Sequence, residues 1–397
     1  MNFILNGHWR GNISNTPNAV ILNLDSSNQG IQGSMITVLP QKSAICVIAK
    51  VVNIFINQNT GKFGGVLQNF LTLKGCQTES GEISTKISKD KELKAGEING
   101  CIVKNGNSEK SITLDGEFKF YKETVTGRCK TCKIKYKENF KLVYFSSNKP
   151  SSCSSSNINW EDFKQVVAKE FEYEKYIFRG QSLRKDRRHW RLRTTFHRTG
   201  RADLLHYKDE DVPRLYRYIS AFPNCRFDLD KNQEFISLLT LARHHGYPTP
   251  LVDWTYSPYV AAYFAYSDIP KEVKNGRVRI FVFDKGAWES LTITMIDQKQ
   301  DINYLMFFPS IPISFIESPF IGNVRAFPQQ SVTMFSAIDD IERYFYNDNA
   351  DPRLKIYDLP VKEKEKVMKD LNRMGITAAS LFPGLDGTCK ELKEKYF

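Results

Sequence analysis

The sequence predicts a multidomain protein, an all-β sandwich or small barrel followed by an α+β domain, and three observations carry that expectation. The chain has 397 residues, more than the roughly 250–300 over which one hydrophobic core keeps growing. Residues 1–145 alternate apolar and polar side chains between Asn, Gly, Ser and Asp punctuation, the signature of short strands and turns. Residues 159–397 mix helical spacings with strand-like runs, and a Ser-rich, aperiodic segment at 146–158 has the composition of a linker between the two parts.

Composition narrows the class. Hydrophobic residues make up 41% and charged residues 25%, ordinary for a globular protein. Lys+Arg exceed Asp+Glu by 56 − 44 = 12, which favours anionic partners such as nucleic acid or nucleotide phosphates. No run reaches the ~18 apolar residues of a membrane helix. Met1-Asn-Phe-Ile-Leu-Asn6 lacks the basic start of a signal peptide, so a cytoplasmic protein that does not engage a membrane is expected. Eight cysteines spread over the chain do not make a disulfide framework. Cys129-Lys-Thr-Cys132 has metal-like spacing but lacks a second ligand pair, so two reduced cysteines around a turn are expected and no metal site.

In the first part, strands are expected at Gly7–Gly11, Ala19–Leu24, Met35–Val38, Ile45–Ile56, Ile112–Leu114 and Lys133–Lys137. Trp9, between Gly7 and Gly11, reads as a core plug or barrel-closing aromatic, and His8 as an exposed residue. No catalytic set stands out here.

The second part opens with a helix that Asn159 caps, with Phe163, Val166, Val167 and Phe171 on its apolar face. Tyr176–Gln181 follows as a buried strand carrying Arg179, whose charge needs a ligand phosphate or an internal carboxylate. Arg or Lys then stands at 184, 185, 187, 188, 191, 193, 198 and 201, with His189, Trp190, Phe196 and His197 between them. That pattern offers charge and stacking to a polynucleotide, or it is a solvated basic segment with Trp190, Leu192 and Phe196 inward.

Asp230 is expected to cap a helix to His245, with Gly246 as the residue that ends it. Adjacent histidines point about 100° apart, so His244 and His245 divide into one capping carbonyls and one facing a cleft. Leu251–Trp254 reads as a strand and Ser257-Pro258 as a cap with Pro at the first helical position. Asp253 is either a general base or a buried partner of Arg179. Later come strands at Arg277–Asp284 and Val332–Phe335, a charged helix at Val361–Met374 and a terminal helix.

Four blocks in order resemble the FRG-domain family: Phe178-Arg179-Gly180-Gln181; His244-His-Gly-Tyr-Pro-Thr-Pro-Leu-Val-Asp-Trp-Thr-Tyr-Ser-Pro258 with Ala261–Ala265; Arg325 with Gln329-Gln330; and Ile376–Asp386 around Leu381-Phe-Pro383. The resemblance covers about 160–397, with Ser331 where the family's third block carries Gly, and residues 1–145 look like an accessory module preceding it. The block order is in turn similar to the ADP-ribosyltransferase layout, and that similarity implies NAD as substrate. Arg179, with Gly180 and Gln181, would hold its phosphate or nicotinamide ribose, Thr255 and Ser257 would sit behind the nicotinamide, Tyr263 on the supporting helix Ala261–Ala265 would either bind the cofactor or pack inward, and Gln329 or Gln330 would take the catalytic-strand position. A glutamine hydrogen-bonds but accepts no proton as a base, so His245, Asp253 or Glu317 would supply one.

The expectation is therefore an ADP-ribosyltransferase-like enzyme with an ADP-ribosyltransferase-like second domain, catalytic residues Arg179, Asp253, Gln330 and His245, and NAD as substrate. Its acceptor would be an anionic macromolecule such as RNA or DNA, or a protein, its role that of a bacterial toxin or antiphage effector, and its further partner an antitoxin or regulatory protein. The alternative is a non-catalytic nucleic-acid-binding module that uses Arg187, Arg188, Arg191 and Arg193.

Overall fold

The computed structural model describes residues 5–16, 18–28, 30–38, 45–77, 83–90, 93–104, 112–126, 129–146, 153–182, 191–222, 225–270, 272–292, 302–307, 312–316, 324–346 and 353–396. Strands β1 (Gly7–Ile13), β2 (Ala19–Ser27), β3 (Gly30–Val38), β4 (Ile45–Ile56), β5 (Lys62–Gln77), β6 (Ile83–Lys89), β7 (Leu93–Lys104), β8 (Ile112–Thr126) and β9 (Cys129–Tyr144) form the first part. All but β6 close into an antiparallel barrel in the order β4-β3-β2-β1-β9-β8-β7-β5, because β4 pairs back onto β5; β6 lies outside on β5. Of the two architectures expected, the barrel is realised. Trp9 is fully buried on β1, donates its indole N–H to the Leu5 carbonyl at 2.7 Å and meets Tyr144 of β9 edge-on. Phe118, Phe120 and Phe140 pack with it, so the interior is filled by side chains.

One face of the barrel wall is also apolar. Leu22, Met35, Val47 and Ala49 point into the barrel. Their neighbours Ile21, Ile36, Cys46 and Ile48 point out, as a strand's period of two requires, and share a core with Leu204, Phe235, Leu238, Leu239 and Phe307 of the second part. Polar contacts line the same seam: Ser34 donates to the Asp203 carboxylate at 2.6 Å, and Arg201 pairs with Asp25 at 3.1 Å. His8 corrects its expectation. It is fully buried there, its Nδ1 2.6 Å from the Asn23 side chain, because β1 alternates Trp9 inward with His8 toward the covering domain.

The second part carries β10 (Ser156–Asn157), β11 (Tyr176–Gln181), β12 (Leu251–Thr255), β13 (Arg277–Asp284), β14 (Ile313–Ile316), β15 (Ser331–Ser336) and β16 (Leu354–Pro360). Its helices are α1 (Trp160–Glu170), α2 (Thr195–Arg198), α3 (Leu204–His206), α4 (Val212–Ile219), α5 (Asn232–His244), α6 (Pro258–Tyr266), α7 (Lys285–Thr292), α8 (Ile302–Phe307), α9 (Ile341–Tyr346), α10 (Lys364–Arg373), α11 (Ala378–Leu381) and α12 (Leu385–Tyr396). The strands form a second sheet, β10-β16-β13-β11-β12-β15-β14, antiparallel except where β10 joins β16. An α/β region on its own sheet thus follows the barrel.

Asn159 caps α1 by accepting from the Asp162 N–H, and Ser257 caps α6 by accepting from the Val260 N–H, with Pro258 at the first position. Gly246 ends α5 at φ +84°, a left-handed turn that suits glycine. The start of α5 differs from expectation. Lys231, not Asp230, occupies the cap position without a side-chain bond. Asp230 is instead drawn into a turn in which its N–H donates to Asp228.

Candidate functional site

β11 and β12 are neighbours in the sheet, yet they pair only at Phe178↔Thr255. Beyond that point the strands part, and Arg179 leans across the opening. Its Nη1 donates to the backbone carbonyl of Asp253 at 2.5 Å. Its Nε is buried without an acceptor in the protein. Burial pulls the guanidinium down to about 10; the Asp253 charge opposes that shift and Arg243 reinforces it.

The glycine after Arg179 has a packing cause. Alternation along β11 puts Arg179 on one face and Phe178 with Gly180 on the other, where α6 lies. A Cβ at Gly180 would sit 1.8 Å from the Ala261 carbonyl. Gly180 therefore does not face a ligand as the family resemblance implied; it lets α6 rest on the strand backbone.

Asp253 is the other half of the opening. Its side chain is 39% exposed and its Oδ2 meets Arg243 Nη2 at 2.9 Å, while the Arg243 side chain is 16% exposed. The expected pairing with Arg179 thus runs through the backbone of Asp253, and the carboxylate goes to Arg243. Arg243 occupies the last turn of α5, which the barrel wall backs through Phe235, Leu238 and Leu239. The sequence reading passed over it although it immediately precedes the histidine pair.

The two histidines divide as their 100° separation requires. His245 is the exposed C-cap residue of α5, whereas His244 is half-buried. Burial lowers the His244 pKa, Asp253 partly offsets this, and Arg243 and Arg325 add to it. His244 is thus the more buried imidazole, and His245, the one expected in the reaction, stands exposed at the end of α5.

A turn at 324–330 delivers the glutamines to the start of β15. Thr255 Oγ1 donates to the Gln329 carbonyl at 2.7 Å and accepts from the Ser257 N–H at 3.0 Å, and the Tyr256 N–H donates to the Gln330 carbonyl at 3.0 Å. Gln329 Nε2 donates to the Leu381 carbonyl at 2.9 Å, so the fourth sequence block supports the third. Gln330 is exposed with φ +46°, a strained setting for a side-chain-bearing residue. Thr255 and Ser257 thus hold the turn and cap α6. Tyr263 also departs from its expected role: it is fully buried and its hydroxyl donates to Glu394 at 3.1 Å, on the α12 side of α6. Gln181, at the end of β11, is half-buried.

The basic segment is corrected as well. Arg191 and Arg193 are each 8% exposed and pair with Asp340 and Asp339, while the Leu192 N–H donates to Glu342. They are interior ion pairs that no polynucleotide reaches. Arg187, Arg188, His189 and Trp190 lie outside the described residues, as do Glu317 and the side chains of Cys129 and Cys132. The run Asp339-Asp340-Ile-Glu342 was the available signal for these partners. Among the described residues no group of three His, Cys, Asp or Glu is placed to hold a metal, and no helix is long and apolar enough to cross a membrane.

A family model described as the FRG domain matches residues 174–274, which spans β11, α5, β12 and α6. No curated protein and no solved structure matches the chain.

Proposed function

The chain carries an FRG domain, and on that premise we propose that it is an ADP-ribosyltransferase-like enzyme that uses NAD to modify a nucleic acid or protein. In this reading it acts as a toxin or antiphage effector that an antitoxin or regulatory protein restrains. The observation that carries the reading is the Arg179–Asp253 contact at the parting of β11 and β12, with the glutamine-bearing turn stapled to β12 by Thr255.

Each residue then has a task. Arg179 is a half-buried cation that receives the phosphate of NAD, and the guanidinium fork suits phosphate oxygens. Exposed Gln330 reaches the ribose hydroxyls next to the bond that breaks, and its strained backbone fits a position held for function. As the C1′–nicotinamide bond opens, C1′ becomes oxocarbenium-like, nicotinamide takes the bonding pair, and the acceptor oxygen or nitrogen bonds to C1′ while losing its proton. Asp253, partly exposed beside Arg179, takes that proton.

The test is to incubate purified protein with labelled NAD and with cellular RNA, DNA and protein separately. Nicotinamide release and label transfer to one acceptor class are expected, both lost in Arg179→Ala. Release that is absent in wild type, or unchanged by Arg179→Ala, refutes the proposal.

A further inference from the structure

Two arginines approach Asp253 from different elements, and only one of them takes its carboxylate. Arg179 comes from β11 and bonds to a neutral peptide carbonyl; Arg243 comes from α5 and takes the charge. Both guanidinium Nε atoms are buried and find no acceptor in the protein. Positive charge around one carboxylate is therefore in excess, and a desolvated excess of this kind calls for an anion.

We infer that the Asp253 carboxylate is an exchangeable counter-ion holding the place of a ligand diphosphate, and that Arg243 is the second cation of that diphosphate site. The exposures agree with such an exchange. The Arg243 side chain is 16% exposed and Asp253 39%, so the cation is fixed and the anion sits toward solvent, free to swing out. The backbone oxygen and the carboxylate of a single residue reach the two guanidinium groups. The two cations thus contact the same residue, as the two phosphoryl groups of one diphosphate would contact both of them. Each arginine offers a fork of N–H donors with phosphate geometry. The inference rests on the reading of this cleft as the NAD site and adds Arg243 and the displacement of Asp253 to it.

Inorganic pyrophosphate is the probe, titrated calorimetrically into the full chain, with melting curves reporting the fold. Wild type binds pyrophosphate more tightly than orthophosphate. Asp253→Asn, which removes the competing charge, tightens pyrophosphate several-fold, and Arg243→Gln weakens it about tenfold, one guanidinium–phosphate interaction being worth roughly that factor. Pyrophosphate also raises the melting temperature of wild type but not of Arg243→Gln, a readout that stands even if Asp253→Asn fails to fold. Unchanged or weaker binding in a folded Asp253→Asn, or equal binding by wild type and Arg243→Gln, overturns the inference. Nicotinamide release reads out separately: the pyrophosphate pattern without NAD turnover removes the enzyme proposal alone, and turnover without that pattern removes the diphosphate site alone.

Discussion

Arg179 holds Asp253 by its backbone carbonyl, at 2.5 Å, and not by its carboxylate. The consequence is a division of labour on β12: the main chain fixes the strand beside β11, while the side chain stays available at the cleft. Substitutions at the two positions should differ accordingly. Arg179→Gln should lower stability by about 1–3 kcal/mol, because the Asp253 carbonyl loses a charged donor. Asp253→Asn should cost less than that, since among the described residues its carboxylate pairs with Arg243 at a partly open surface. Equal losses for both variants in denaturant titrations would contradict this division.

Gly180→Ala should be among the most damaging small substitutions in the chain. The added methyl would meet the Ala261 carbonyl at 1.8 Å, so α6 must move off the sheet, at a cost of roughly 1–3 kcal/mol or more. Urea unfolding measures it directly, and a loss below the experimental error would mean that α6 does not rest on β11.

Gln330→Gly separates stability from activity. Gln330 has φ +46°, and glycine relieves that strain, a gain of about 0.5–1 kcal/mol. The same change removes the amide assigned to the ribose. The variant should melt higher than wild type and lose nicotinamide release, whereas wild-type turnover would exclude Gln330 from the reaction.

Asp340→Ala tests the interior of the basic segment. Arg191 and Asp340 are both buried and paired, and removing one partner of such a pair costs about 3–5 kcal/mol. The variant should unfold at markedly lower denaturant. A merely solvated Arg191 would give no effect.

Asp203 makes stability depend on pH at the seam between the barrel and the FRG domain. Burial raises its carboxyl to about 7 against the ordinary 3.8; the Ser34 hydroxyl opposes the shift and Asp25 adds to it. A raised acid contributes stability that is fully present below the unfolded value and is lost as pH rises through the folded one. Asp203→Asn, which keeps an oxygen for the Ser34 donor, should therefore be more stable than wild type at pH 8, on the order of 2–4 kcal/mol. The advantage should shrink steadily toward pH 5. Melting curves across that range check the slope, and an advantage that does not vary with pH would clear Asp203 of the role.

Much of the fold was legible because its causes are local. Alternation in Ala19–Leu24 and Met35–Val38 reports strands whatever lies beyond them, and the Asn159 and Ser257-Pro258 caps act within a single helical turn. The four blocks lie far apart in the chain, and three of them, on β11, β12 and the 324–330 turn, converge. What the sequence could not weigh was which residue covers which. Ile45–Ile56 is apolar nearly throughout, a pattern that implies burial on both faces of a strand, yet nothing local says what buries the outer one. The same blindness placed His8 on the surface and the Arg191 and Arg193 charges in solvent, because their partners Asn23, Asp340 and Asp339 are set by packing.

The sequence by itself determined strands such as β2, β3 and β4, the caps of α1 and α6 and the glycine that ends α5, since backbone propensity, capping and glycine placement depend on near neighbours. Only the tertiary structure decided that the strands close into a barrel, that the barrel wall shares a core with α5, and that Arg243 rather than Arg179 takes the Asp253 carboxylate. Those outcomes depend on desolvation and charge pairing between residues far apart in the chain, energies that exist only once the chain has brought them together.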